Sequence, residues 1–129
     1  MDAGFPVMNA VSTPLTEARR TLRASGSDTS ALDLLASTLP RLAAGQLPKA
    51  LAEFHNMAGR LPYAGDSDFG ALLLESLADG SDDSALAREF LVSASYRARW
   101  CAESATSGGE GLARAADLNR IQSKLASLK

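Results

Sequence analysis

Aromatic and β-branched residues are scarce in this chain. Its 129 residues contain one Trp, two Tyr and four Phe, with Val only at 7, 11 and 92 and Ile only at 121. Sheets draw on these residue types, so their scarcity excludes a β-rich fold. One cysteine excludes an internal disulfide and fits a reducing compartment. One histidine excludes a histidine-based metal cluster. No apolar run approaches the roughly 20 residues needed to span a bilayer. Met1 to Val11 lacks the basic and apolar regions of a signal peptide, so a cytoplasmic protein is expected. Lys and Arg are missing between Arg60 and Arg88, where Asp66, Asp68, Glu75, Asp79, Asp82 and Asp83 accumulate. That acidic stretch serves either helix termini and solvated faces or a basic partner. A formal charge of −2 argues against a general nucleic-acid binder, which needs a basic excess.

What remains is 46% apolar and dominated by Ala and Leu, with the Ala/Leu/Arg/Gly bias of many bacterial chains. Good helix formers with small side chains predict an all-α fold, an irregular bundle of five to six helices. Length and the lack of a long linker predict one domain over residues 1–129, with 1–12 as an irregular lead-in. In that lead-in Phe5, Val7 and Met8 form an apolar latch that can pack back on the bundle. Thr13-Pro14 predicts a helix start, and Ser25-Gly26-Ser27 its end. A second helix opens at Asp28–Ser30, with Ser30 and Asp33 spaced as a capping box, and carries the stripe Leu32, Leu35, Leu39, Leu42. Pro40 predicts a kink or break near Leu39, because its ring clashes with the carbonyl four residues back. Leu47-Pro48 starts a third helix with Leu47, Ala50, Leu51, Phe54, Ala58 and Leu61 along one face, closed by Gly59 and Pro62. Asp66 or Ser67 caps a fourth, whose buried side is Phe69, Leu72, Leu73 and Leu77. Ser81 caps a fifth over about 82–107. After Ser107-Gly108-Gly109, Glu110 or Gly111 restarts the chain. Leu118, Ile121, Leu125 and Leu128 then make a coiled-coil-like seam, giving a C-terminal antiparallel hairpin. That seam could also support a homodimer.

The fifth helix has two apolar sides. Phe90, Leu91, Ala94, Ala98, Cys101 and Ala105 gather on one; Val92, Tyr96 and Trp100, at i, i+4 and i+8, lie roughly opposite. Either the first helix packs over the second stripe or the stripe faces a partner. Tyr, Trp and Arg dominate interface energetics, so Val92, Tyr96, Arg97, Arg99 and Trp100 are the candidate partner-binding residues. Other motifs carry no chemistry. His55 has no second ligand. Cys101 falls on the alanine side and reads as a small core residue. Asp68-Phe69-Gly70 lacks every other kinase element. Gly108 to Gly111 lacks the lysine of a phosphate loop. No catalytic residue, cofactor site or metal site is assigned.

Ala50-Leu51-Ala52-Glu53-Phe54 recurs as Ala85-Leu86-Ala87-Arg88-Glu89-Phe90, about 35 residues on. Gly45, Ala50, Phe54 and Pro62, echoed by Gly80 and Ala85, resemble the spacing of tetratricopeptide-like helical repeats over residues 30–100. Phe90 falls one position late, no proline closes the second unit, and the first helix of each unit lacks the family's aromatic–Leu–Gly–Tyr pattern. The resemblance implies a helical scaffold that grips a peptide, in the style of small bacterial secretion chaperones. The resulting expectation is a non-enzymatic protein–protein interaction module, a chaperone or adaptor that takes an amphipathic helix of a partner. The alternative is a helical DNA-binding regulator, using Arg19, Arg20, Arg23 or the Arg97/Arg99 pair against phosphate.

Overall fold

The computed structural model describes residues 14–128, and among these described residues there are six α-helices: α1 (Pro14–Ala24), α2 (Ser30–Thr38), α3 (Leu47–Ala58), α4 (Phe69–Asp79), α5 (Ser84–Glu103) and α6 (Gly108–Ser127). The fold is all-α, and among the described residues the only β pairing is an isolated bridge between Ala64 and Ser67. The lead-in 1–12 with its latch, and the Thr13 cap, lie outside the described residues. No helix among the described residues is long and apolar enough to cross a membrane.

Proline and glycine place most boundaries. Pro40 ends α2 at Thr38 and converts the next residues into a 3₁₀ turn, Leu39–Arg41, so the expected kink is a full break. Leu39 still points inward and is completely buried, which completes the leucine stripe across that break. Pro48 sits in the first turn of α3, where its missing N–H leaves nothing unsatisfied. Gly26 turns the chain after α1 at φ 84°, a left-handed conformation that favours glycine.

The caps differ from expectation. Thr29, not Ser30, precedes α2, and its hydroxyl donates to the Asp33 carboxylate at 3.0 Å. Asp33 in turn pairs with Arg19 of α1, so the acid expected to close a capping box ties two helices together instead. Asp68, not Asp66 or Ser67, caps α4 by accepting the Ala71 N–H at 2.8 Å. Asp83, not Ser81, caps α5 by accepting from Ala85 and Leu86. Helix α6 starts at Gly108, ahead of the expected Glu110–Gly111.

Helix α4 is the axis of the molecule. A single buried side was expected, but every residue from Phe69 to Glu75 is buried. A helix apolar nearly all round must be enclosed, and α1, α2, α3 and α5 all pack against it. The core joins Phe54 of α3, Phe69 and Leu74 of α4, Phe90 of α5, Leu22 of α1 and Ile121 of α6. Helix α6 folds back along α5 and is bonded to α4 through charge. Arg120 donates to both Glu75 oxygens at 2.8 Å, and Lys124 lies 2.8 Å from Glu75 and 2.9 Å from Asp79. The apolar seam proposed for a homodimer is used within this chain: Ile121 is fully buried, and Leu118, Leu125 and Leu128 pack against the core.

Candidate protein-interaction site

Helix α5 has one side sunk in the core and the other bare. Its embedded side consists of Ala87, Phe90, Leu91, Ala94, Ala98 and Cys101. On the other, Val92, Tyr96 and Trp100 are 52%, 55% and 58% exposed. The first helix does not cover them; α1 packs on α4 instead. Exposed Leu34 and Leu112 occur singly, which is ordinary for surface leucines, whereas these three share one face. Tyr96 and Trp100 meet edge-to-face with ring centroids 6.5 Å apart, and Tyr96 meets His55 of α3 at 5.6 Å. Such pairs favour a fixed relative orientation.

A cleft of about 300 Å³ opens beside the rings, lined by His55, Asn56, Tyr63, Asp68, Tyr96, Arg97 and Trp100. Its base is an ion pair. Arg97 donates through Nε to Asp68 Oδ2 at 2.7 Å and through Nη2 to Oδ1 at 3.0 Å. This is a bidentate fork, the strongest geometry open to these groups. Arg97 is therefore turned inward rather than presented with the stripe, and it holds α5 against the start of α4. Its Nη1 also donates to the His55 carbonyl at 3.3 Å and lies at that distance from His55 Nδ1, which accepts when the ring is neutral. Burial, reinforced by the Arg97 charge, holds the imidazole below its usual value of 6.5. Glycine at position 70 makes this approach feasible, since a Cβ there would lie 2.8 Å from both Ala58 Cβ and Arg97 Nε.

Of the five expected residues, Val92, Tyr96 and Trp100 form the face, Arg99 is exposed on the same side of the helix, and Arg97 is the anchor beneath. His55, Asn56, Tyr63 and Asp68 complete the cleft without having been singled out for it. Nothing local distinguishes them, because they arrive from three places: His55 and Asn56 from α3, Tyr63 from the loop after it and Asp68 from the cap of α4. Tyr63 is held by Arg114, whose guanidinium lies over its ring at 4.7 Å, and its hydroxyl accepts from Ser104.

The site contains no coupled nucleophile and base. Cys101 is buried on the far side of α5, its Sγ 3.8 Å from the Asp66 carbonyl, and burial pushes its thiol up to about 11. No group of three or more His, Cys, Asp or Glu among the described residues could hold a metal ion. Three of the arginines that phosphate contact would use are already paired: Arg19 with Asp33, Arg20 with Glu17, and Arg97 with Asp68. Comparison of the chain with family models, curated proteins and solved structures gives no match.

Proposed function

We propose that this chain is a protein-interaction module without chemistry of its own, which buries an amphipathic helix of a partner against the Val92–Tyr96–Trp100 face of α5. One observation carries the reading: three large side chains lie bare in a single stripe on a helix whose opposite side is fully embedded. An aromatic pair on a rigid support, beside a cleft with a polar base, has the composition of an interface centre. On this reading the module acts as a small bacterial cytoplasmic chaperone or adaptor.

The test places a photoreactive amino acid at Val92, and at the still more exposed Leu34 on α2 as control, in cells that produce the protein. Crosslinking to one partner at 92 and not at 34 is expected. Equal yields at both positions sink the reading. The Tyr96→Ala/Trp100→Ala double variant should lose the crosslink to a probe at 92 while remaining folded by circular dichroism.

A further inference from the structure

A second cleft, of about 370 Å³, lies at the opposite end of α3 and α5. Its apolar lining is Pro40, Leu42, Leu47, Pro48 and Leu86. Its charged lining residues are Asp83 and Glu89, with no Lys or Arg among them. Both clefts are walled by the same two helices. The first takes His55 from α3 with Tyr96 from α5; the second takes Leu47 and Pro48 from α3 with Leu86 and Glu89 from α5. The two helices therefore run side by side in the same direction, with a cleft at each end of the seam. At a rise of about 1.5 Å per residue, the clefts are about 10–15 Å apart along either helix. Helical register puts Ala52 of α3 and Ser93 of α5 on the facing sides between them. Small residues there leave room for a third helix to lie close along the seam.

Resting on the interaction reading above, we infer that the partner helix is gripped at two points along this seam. An aliphatic side chain enters the proline-lined cleft, and an aromatic or polar-tipped one enters the cleft beside Trp100. A spacing of seven to eight residues covers about 10–12 Å and keeps both anchors near one helical face. Asp83 and Glu89, with exposed Asp82 beside them, select Lys or Arg next to the aliphatic anchor. The occupant is thus an amphipathic helix, basic at the end that meets the start of α5.

The probe is a phage-displayed library of helix-stabilised peptides of about 16 residues, two anchors plus a turn at each end, with one face randomised. Binding is read by the fluorescence anisotropy of a dye on the peptide, so variants that lack Trp100, the only tryptophan, are measured in the same way. Selected peptides should carry apolar residues seven or eight apart with Lys or Arg beside one of them. Ala85→Arg and Glu89→Lys, both at exposed positions, should each weaken them at least tenfold, as should Trp100→Ala. Peptides weakened by Trp100→Ala but held within twofold by both Ala85→Arg and Glu89→Lys overturn the two-point grip and leave the interaction reading standing. A selection that yields no more on the wild type than on Tyr96→Ala/Trp100→Ala overturns both.

Discussion

Asp68 does two things at once, and separating them tests how the site is held. Its carboxylate caps α4 through the Ala71 N–H and forms the fork with Arg97, and the two side chains are only 8% and 12% exposed. Losing an N-cap costs about 1 kcal/mol. Leaving a buried arginine without its partner costs about 3–5 kcal/mol. Asp68→Ala should therefore destabilise the protein by about 4–6 kcal/mol, a large fraction of the 5–15 kcal/mol typical of a whole domain. Asp68→Asn keeps a competent cap and should lose only the ionic part, about 3 kcal/mol. Arg97→Met strands the carboxylate instead. Combined with Asp68→Ala it should cost at least about 2 kcal/mol less than the sum of the single changes, since neither charge is then left alone. Urea unfolding followed by helical circular dichroism, with slopes compared between variants, measures all four corners of the cycle. If Asp68→Ala costs no more than about 1 kcal/mol, the cap accounts for everything. The ion pair then contributes nothing net, and the account of how α5 is fixed fails.

Three further outcomes are expected. Gly70→Ala should destabilise by about 1–2 kcal/mol, because the overlap with Ala58 and Arg97 outweighs the roughly 1 kcal/mol that alanine gains in a helix; an unchanged urea midpoint contradicts this. The folded chain binds a proton at His55 less readily than the unfolded chain, so this residue's contribution is complete above pH 6.5 and declines as the pH falls through the lowered folded value. Midpoints should drop between pH 7 and 5, and His55→Gln should flatten that slope. This window lies above the one for Glu75: burial raises its carboxyl, but the hydrogen bonds from Arg120 and Lys124 prevail and hold it below 4.5. Cys101, with its thiol near 11, should resist a thiol-specific disulfide reagent at pH 8 in the native state and react promptly in urea; fast native labelling would place it at the surface.

The helical class and most boundaries were legible because prolines and glycines act locally. Pro40, Pro48 and Gly26 have the same consequence in almost any fold. The caps were less legible. Asp66, Ser67 and Asp68 are all competent, and the choice falls on the one that also meets Arg97, 29 residues away. Arg97 was read with the stripe because its neighbours Tyr96 and Trp100 are there, yet its angular position lies between the two sides of α5, and only the acid across from it decides which way it turns. Glu75 shows the same limit. A carboxylate in a buried run is interpretable once Arg120 and Lys124 are known to reach it from α6. For α4, counting only its large residues hid the small ones, Gly70 and Ala71, that let neighbouring helices close in.

The enclosure of α4 bears on how this architecture could vary. In a linear stack of hairpins each unit touches only its neighbours, so units can be added or removed at an end while the remainder persists. Here the central helix lies against helices from both ends of the chain, with α1 on its surface and α6 bonded to Glu75 and Asp79. Removing the last hairpin would not shorten an array; it would take away the largest packing partner of α4 and leave buried Glu75 without Arg120 and Lys124. The described helices close around α4 in the manner of a globule rather than of a repeat array.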